Sequence, residues 1–375
     1  MKTTVNRKEF LAAAKRAAAV APPGSPLDTL RGVLLETDQA NQILILSATN
    51  LEVAIEQKIP CAPQDDDAVV INADLLEKIT EQLAGETLTL QREGNIPRVT
   101  LTSEDARFDI PVWERGSFPK MEIPFPEDTV KLSGLPAVTR RTVFAVGTGD
   151  GGKPLLKCVN LMFTRDGLKA SCSDGTCIVT ARGDNESTGN VSLLVPAASL
   201  EKLARMSDDS TEYKVGTTGK TIVFFRENFA YSARLMEGEY IDTNQLIASV
   251  SNAFSVLTDI PELKSCVASV TAVEPNGKLM LRFQGGTLTM RCDGAYGSAA
   301  SQMEVIPLTG TPQGEYWFLS RQLSACLRAL SGTVTLGIAQ GGMLTLSTEN
   351  AYYMQPGVRA PVKDTGHAAG RKKAA

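Results

Sequence analysis

The recurring order of predicted elements constrains the fold of this chain most strongly. Three consecutive segments each begin with a short strand and a helix, continue with strands, and close with a second helix followed by further strands. The chain has 375 residues, which is too many for one compact core, so the pattern predicts three α+β domains of similar length. The predicted helices are 7–20, 73–84, 133–147, 197–207, 259–273 and 320–330.

Breaks in the pattern place the domain boundaries. Pro124-Phe125-Pro126 and the stretch 248–252 interrupt the predicted elements. The segments share an order of elements but no strong residue identity, so an ordinary multidomain α+β protein accounts for the pattern equally well. The predicted domains are 1–124, 125–249 and 250–359, followed by a disordered basic tail at 360–375.

Histidine and cysteine usage excludes several classes of site. The single histidine, His367, lies in the tail, which excludes a Ser-His-Asp triad, a Cys-His pair and a multi-histidine metal site from the folded body. Seven scattered cysteines without a C-x-x-C spacing are typical of reduced thiols, and the N-terminus lacks the apolar run of a signal peptide. We therefore expect a cytoplasmic protein without cofactor, metal or membrane segment.

A glycine-rich loop, Gly147–Lys153, fits two nucleotide-binding patterns at once. Both patterns require a strand before the glycines and a helix after them. Here a predicted helix precedes the loop, a predicted strand follows it, and Pro154 stands where magnesium binding needs Ser or Thr. A plain helix–strand loop is the favoured interpretation, and an enzyme using this loop is the alternative.

Basic residues are concentrated in the predicted helices. The net charge of the chain is −4, yet the six helices contain twelve basic and seven acidic side chains. Solvated helix faces would explain a small excess equally well. The segregation nevertheless predicts that the helices share a surface opposite in charge to the strands and loops.

Two further features lie on predicted strands. Asp174-Gly175 forms a tight turn between two strands, because Asp-Gly supplies the positive φ that a hairpin needs. Cys172 and Cys177 flank this turn as buried or rim thiols. The last strand, 350–359, ends in a Pro-Gly stop with Met, Tyr and Val at the surface, which suits the docking of another protein.

Short motifs across residues 1–359 resemble the bacterial beta sliding clamps, the processivity factors of DNA polymerase III. Their order and spacing match the family across all three segments. The motifs are Met1–Arg7 (opening strand and helix start), Leu30–Glu36 (first return strand), Ala48–Glu52 (a "TDLE"-like turn), Gly116–Pro119 (a Phe-Pro junction), Ser173–Gly175 (a "TDG"-like turn), Glu237–Asp242 (a "GRFPDY"-like segment) and Asn350–Arg359 (the last strand).

The resemblance implies a non-enzymatic DNA clamp fold. Three clamp domains per chain would have antiparallel sheets outside and two helices each inside, and two chains would join head to tail, first domain against third, into a ring. The implied partners are double-stranded DNA without sequence preference, a replicative DNA polymerase, a separate ATP-driven clamp loader and other proteins with a clamp-binding motif.

The resemblance also implies two groups of site residues. The pore helices would contact DNA through Lys8, Lys15, Arg16, Lys78, Arg140, Arg141, Lys202, Arg205, Lys264, Arg321 and Arg328. A partner pocket, between the second and third domains in the family, would be lined by Ser173, Gly175, Thr176, Cys177, Ile178, Ile241, Leu246, Tyr353, Met354, Gln355, Pro356, Val358 and Arg359.

The sequence departs from the family pattern at the pocket. The usual His-Arg after the turn is Thr176-Cys177, the usual Pro before Asp242 is Ile241, a nearby Arg is Gln245, and Gly357-Val358 adds a residue to the last loop. An Arg that reaches DNA after the first helix is also missing near Ser25. A divergent paralogue serving a specialised polymerase is therefore an alternative to the housekeeping clamp.

Overall fold

The computed structural model describes residues 1–94, 96–104, 106–148, 153–183, 185–186 and 190–361, so the predicted tail lies outside the described residues from position 362 onward. The chain divides into two compact units. Unit 1 comprises Met1–Cys172 and Arg182–Tyr240, and unit 2 comprises Ser173–Ala181 and the chain from Ile241 onward. Both units consist of antiparallel sheets and a few helices, which confirms the predicted α+β class. The boundaries of three domains stay a prediction.

Unit 1 contains, within its described residues, four α-helices and most of the strands. In chain order its elements are β1 (Lys2–Asn6), α1 (Arg7–Ala18), β2 (Gly32–Asp38), β3 (Ile43–Thr49), β4 (Val53–Pro60), β5 (Ala68–Asn72), α2 (Ala73–Gln82), β6 (Thr87–Gln91), β7 (Arg98–Ser103), β8 (Ala106–Pro111), β9 (Trp113–Glu114), β10 (Val130–Leu132), α3 (Leu135–Thr142), β11 (Cys158–Thr164) and β12 (Gly167–Ser173). After β13 (Ile178–Gly183), whose first four residues belong to unit 2, follow β14 (Asn185–Glu186), β15 (Val191–Pro196), α4 (Ala197–Arg205), β16 (Tyr213–Thr218), β17 (Thr221–Arg226) and β18 (Phe229–Arg234).

Three groups of strands organise unit 1. A ten-stranded sheet has the order β14-β10-β16-β17-β18-β4-β3-β2-β5-β9, and a four-stranded sheet has the order β1-β6-β7-β8. Strands β15, β11 and β12 pair in that order. Helices α1 and α2 pack together, as do α3 and α4.

Helix α1 begins where the sequence predicts it. The side chain of Asn6 accepts hydrogen bonds from the backbone N–H groups of Lys8 and Glu9, at 3.0 and 3.1 Å. These bonds satisfy two donors that a helix start leaves without partners. The helix then buries Phe10, Ala13, Ala14 and Ala17 along one stripe, which leaves Lys8 and Lys15 exposed on the outward side.

Under α4, one face of the ten-stranded sheet contains an aromatic core. Tyr213, Phe224 and Tyr231 are fully buried, and the ring centroid of Phe224 lies 6.3 Å from that of Tyr213 and 6.4 Å from that of Tyr231. The Tyr231 hydroxyl donates a hydrogen bond to the carbonyl of Ser199 in α4, at 2.7 Å. Burial raises the pKa of Tyr231, and the hydroxyl therefore stays protonated.

Unit 2 repeats the pairing of two helices with sheets. Its further elements are α5 (Thr243–Ala248), β19 (Asn252–Asp259), α6 (Ile260–Thr271), β20 (Lys278–Gln284), β21 (Thr287–Gly294), β22 (Gly297–Glu304), β23 (Ile306–Thr309), β24 (Gln313–Leu319), α7 (Ser320–Ala329), β25 (Thr333–Ala339), β26 (Leu344–Ser347) and β27 (Ala351–Gln355). Within the unit, one sheet has the order β13-β27-β26-β25-β19-β23 and another has the order β22-β21-β20-β24. Helices α6 and α7 pack together.

All six predicted helices are present, each within a few residues of its predicted ends except that 133–147 is α-helical only over Leu135–Thr142. Helix α5 and strands β4, β5 and β19 are among the elements that the sequence did not predict. In the part of the chain that the structure describes, no helix combines the length and apolar character needed to cross a bilayer.

Candidate DNA and peptide interfaces

Most of the predicted DNA contacts lie on exposed positions of their helices. Three are half-buried: Arg16, Arg141 and Lys202. The structure leaves the other eight cations in contact with solvent, as a surface that binds phosphates requires. These eight are Lys8, Lys15, Lys78, Arg140, Arg205, Lys264, Arg321 and Arg328.

Three of the exposed cations have acidic neighbours. Lys15 of α1 pairs with Glu81 of α2, which raises the pKa of Lys15. Arg140 pairs with Asp209 at 3.0 Å, and Arg205 lies 3.7 Å from Glu201 one helical turn earlier. Exposed pairs of this kind contribute little to stability, so their cations remain available to a stronger anion.

Two of the half-buried cations bind neighbouring elements instead. Arg16 donates a hydrogen bond to the side chain of Gln57 in β4, at 3.3 Å. Lys202 of α4 donates to the carbonyl of Ala19 at the C-terminal end of α1, at 3.0 Å. Burial lowers the pKa of both side chains, and a neighbouring arginine lowers each further. Arg16 therefore joins α1 to β4, and Lys202 joins α4 to the end of α1.

The other six predicted contacts carry a less compensated charge. These six residues form no ion pair within the described chain. They are Lys8, Lys78, Arg141, Lys264, Arg321 and Arg328. Lys8, Lys78 and Arg141 belong to unit 1, and Lys264, Arg321 and Arg328 belong to unit 2. Each unit thus has its own cationic helix surface.

The predicted pocket residues all belong to unit 2, where the Asp174-Gly175 turn is held by hydrogen bonds. One carboxylate oxygen of Asp174 accepts from the backbone N–H groups of Thr176 and Cys177, both at 2.8 Å, and from the Thr176 hydroxyl at 2.7 Å. The Ser173 hydroxyl donates to the carbonyl of Cys177 at 2.7 Å. Gly175 has a φ of 93°, which confirms the predicted reason for glycine there.

A polar network links this turn to the last strand. Gln322 of α7 donates to the other carboxylate oxygen of Asp174 at 2.9 Å and to the Thr176 hydroxyl. Gln355 donates to the side chain of Gln322 at 2.9 Å and accepts from the Tyr353 hydroxyl at 2.8 Å. Sequence reasoning missed Gln322, because nothing in its local pattern distinguishes it from other polar residues on an amphipathic helix.

Burial and hydrogen bonding determine how the groups in this network titrate. Burial raises the pKa of Cys177 to about 12, with a further contribution from Asp174. For Asp174, burial acts to raise the pKa, but the bonds from Cys177, Thr176 and Gln322 outweigh it and the pKa is lowered. Asp174 is therefore ionised and Cys177 is a protonated thiol at neutral pH, which makes Cys177 unreactive.

The Asp174 bonds give a testable effect on stability. Asp174→Ala is expected to lower the free energy of unfolding by about 1–2 kcal/mol, because the turn loses its acceptor. Asp174→Asn keeps one side-chain oxygen and is expected to lose less. The folded pKa of Asp174 is depressed, so the parent chain is expected to have a higher free energy of unfolding than Asp174→Asn above the unfolded pKa of about 3.9. This difference is expected to disappear as pH falls through the folded pKa.

Urea unfolding of the parent chain and both Asp174 variants, between about pH 3 and 7, measures these differences in the free energy of unfolding. Equal losses in Asp174→Ala and Asp174→Asn at neutral pH would contradict the role of the side-chain oxygen.

The remaining pocket residues differ in exposure. Ile178 and Met354 are directly opposite each other in the β13–β27 pair and are almost fully buried. Ile241, just before α5, and Leu246, within it, are exposed apolar side chains.

The end of the described chain is held by one backbone bond and one bond from a lysine side chain. The Val358 N–H donates to the carbonyl of Trp317 at 2.7 Å, and the carbonyl of Arg359 accepts from Lys278 at 2.9 Å. Pro356 is exposed. The assignment of all thirteen residues to one pocket stays a prediction.

The glycine-rich loop lies only partly within the described chain. Residues 149–152 are outside the described residues, whereas Gly147 and Lys153 are inside them. A short helical turn, 143–145, precedes the loop, and a second one, Pro154–Lys157, leads into β11. These flanks are the reverse of what either nucleotide-binding pattern needs. Among the described residues, no group of three His, Cys, Asp or Glu side chains is placed to bind a metal.

Two open sheet edges were not predicted from the sequence. In the described chain β8 pairs with β7 alone, and β22 pairs with β21 alone. Phe108 of β8 is half-buried, whereas its neighbour Leu101 on β7 is fully buried. Ala299 of β22 is likewise half-buried beside the fully buried Cys292. An edge strand offers unpaired backbone groups to another strand, so each unit has a surface suited to pairing with a second chain.

Comparison with known proteins identifies the fold and the relatives of the chain. Residues 1–122 match the family model of the DNA polymerase III beta subunit, N-terminal domain. The beta sliding clamp of Synechococcus elongatus is 26% identical over 327 residues, which span 83% of this chain and 84% of the relative. The chain is thus similar to the bacterial beta sliding clamps over most of its length. The Staphylococcus aureus clamp is 23% identical over 258 residues, 66% of this chain and 67% of the relative.

Solved structures confirm the clamp fold. The sliding clamp from Bacillus subtilis superposes with a TM-score of 0.87 at 16% identity, covering 96% of this chain and all of that one. A Pseudomonas aeruginosa sliding clamp bound to griselimycin superposes with a TM-score of 0.86 at 18% identity, with the same coverage. The predicted clamp fold is therefore confirmed, and the resemblance found in the sequence motifs is confirmed with it.

Proposed function

We propose that this chain is a DNA sliding clamp that encircles duplex DNA and tethers a replicative polymerase for processive synthesis. The observation that carries the proposal is the cationic surface of the helices in a chain of net charge −4. Cations without acidic partners are present on α2, α3, α6 and α7, within the described residues. Such a surface attracts phosphates without reading bases, so the protein can move along DNA.

A ring of two chains would account for both open sheet edges. The β8 edge of one chain would pair with the β22 edge of its partner, and the same contact would recur on the other side of the ring. A heterologous contact of this kind closes when two copies are related by a two-fold axis. Closure would cover Phe108 and remove the edges that otherwise promote aggregation.

The size of such a ring fits duplex DNA. Each chain contributes six helices that belong to packed pairs, α1 with α2, α3 with α4, and α6 with α7. Twelve helices spaced about 9–10 Å apart would form a circle of axes about 37 Å across, which leaves a hole of roughly 27 Å. Duplex DNA would pass through this hole with water between protein and phosphates.

The turn at Asp174 and the last strand would receive partner proteins. The polar network through Gln322 and Gln355 fixes both segments, and Ile241, Leu246 and Pro356 offer exposed apolar surface. An apolar anchor from a polymerase, a clamp loader or another protein would bind there with modest affinity, so that partners could exchange. The clamp would act in the cytoplasm, without catalysis and without a cofactor.

Mass and topology test the proposal. Light scattering at moderate salt is expected to give twice the 40.1 kDa of one chain. After loading by the host's clamp loader, the protein is expected to stay on a nicked circular plasmid at a salt concentration that abolishes electrostatic binding to phosphates. It is expected to leave once the plasmid is cut and becomes linear. The mass of a single chain at micromolar concentration, or equal retention on circular and linear DNA, would rule out the encircling mechanism.

A further inference from the structure

A cleft of about 580 Å³ in unit 1 is lined by residues of strands and loops, none of them on a helix. Its floor is on the face of the ten-stranded sheet opposite α4. Phe224 packs into the aromatic core beneath α4, and since side chains alternate along a strand, the next residue, Phe225, points to the opposite face. Lys214, Phe225 and Ala230 are direct neighbours across β16, β17 and β18 and form one row of the cleft.

The cleft has an exposed aromatic surface. Phe125 is 58% exposed and meets Phe225 edge to face, with ring centroids 5.3 Å apart. Ala230 beside Phe225 leaves a notch in the row, because its side chain ends at Cβ. A cavity of this volume accommodates one or two large side chains, and exposed aromatic rings supply much of the binding energy in such sites.

The rim of the cleft is charged, with a small cationic excess. Four cations and three carboxylates line it. Lys58 pairs with Glu56 at 3.6 Å, and Arg226 lies over the ring of Phe229, 5.5 Å from its centroid. Lys214 and Arg226 are exposed, and neither forms an ion pair within the described chain. The mixed rim suits a single carboxylate beside an apolar group better than it suits a polyanion.

We propose that this cleft docks a short segment of a partner protein in which an aromatic or branched aliphatic residue stands next to an acidic residue. The apolar side chain would lie on Phe125 and Phe225 and fill the notch at Ala230. The carboxylate would bind Lys214 and Arg226 at the rim. This site is separate from the proposed pocket at Asp174, and it would give the protein a second peptide-binding surface.

Selection from a displayed library of random nine-residue peptides tests the proposal. The library is first depleted on the Phe225→Ser variant, so that peptides binding elsewhere on the chain are removed, and is then selected on the parent protein. The expected result is enrichment of peptides with an apolar residue adjacent to Asp or Glu. No enrichment, or enriched peptides without an acidic residue, would overturn the proposal.

A charge exchange gives the second readout. The best selected peptide is expected to bind Lys214→Glu about tenfold more weakly, and replacing its acidic residue by lysine should recover most of that loss. Lys214 is exposed, so this variant is expected to fold as the parent does. Leu51→Ser is the matched control for Phe225→Ser, because Leu51 is an exposed apolar residue outside the cleft.

Single-stranded DNA is the competing ligand for an aromatic and basic surface. An eight-nucleotide oligothymidylate is therefore titrated in the same assay. It is expected to leave the selected peptide bound. Displacement of the peptide by the oligonucleotide, together with loss of oligonucleotide binding in Phe225→Ser, would assign the cleft to nucleic acid and overturn the peptide proposal.

Discussion

Phe108→Asp is expected to convert a two-chain ring into single chains of 40.1 kDa. Phe108 lies on β8, the open edge of the four-stranded sheet in unit 1, and its side chain is only half-buried in one chain. A partner strand would complete its burial, whereas a carboxylate in that position would be buried without a counter-ion.

The expected loss is large because the ring contains this contact twice. Truncating a buried aromatic anchor costs about 2–4 kcal/mol per interface. Two interfaces together would weaken the dimer by at least roughly a thousandfold, since each ~1.4 kcal/mol is a factor of ten. Light scattering across the micromolar range measures this change, and circular dichroism with a thermal melt verifies that the chain remains folded.

Two comparisons separate loss of the interface from loss of the fold. Leu51→Asp introduces the same charge at a turn residue that is 52% exposed, and it should leave the mass at that of two chains. Ala299→Asp places the charge on the other open edge, β22, and should also give single chains.

A mixture of the Phe108→Asp and Ala299→Asp chains retains one intact pair of edges, so it should return to the dimer mass without being retained on circular DNA.

If the Phe108→Asp chain keeps the mass of its parent, β8 is not the closing edge. If the mixed variants fail to associate although each is folded, the two edges do not pair with each other. Either result would contradict the head-to-tail ring while leaving the clamp fold itself intact.

The sequence predicts local elements of this fold well where a short-range interaction determines them. Asn6 starts α1 because its side chain caps the first turn, and Gly175 permits the turn after Asp174 because its φ is positive. Helix α5 was missed although Asp242 caps it in a similar way, since its six residues are too few to show a helical period.

Features that depend on long-range pairing could not be predicted. Strand β19 is defined by its pairing with β25, far later in the chain, and not by a distinctive local pattern. The open edges β8 and β22 follow only from the order of strands. Gln322 reaches Asp174 across 148 positions, so its part in the pocket network required the tertiary structure. Family resemblance supplied the pocket residues, but it could not supply the bonds that fix them.

Neutralising three helix cations, with Lys78→Gln, Lys264→Gln and Arg321→Gln combined, is expected to weaken binding to duplex DNA by about tenfold or more at moderate salt. The three side chains are exposed and form no ion pair within the described chain. A ring of two chains would lose six charges. Each phosphate contact makes the slope of log K against log salt steeper by about 0.9, so the magnitude of this negative slope is expected to decrease by roughly 3–5.

Fluorescence anisotropy of a labelled duplex, between about 25 and 200 mM NaCl, measures both the affinity and the salt slope. The matched control combines Arg98→Gln, Arg165→Gln and Arg234→Gln, which remove the same charge from exposed positions on strands and a turn. The net charge of the protein changes equally in both triple variants, so a difference between them shows that the position of the cations on the helices matters for binding DNA. Equal losses of affinity in the two triple variants would mean that net charge alone attracts DNA. That result would contradict the proposal that the helices line a pore around DNA.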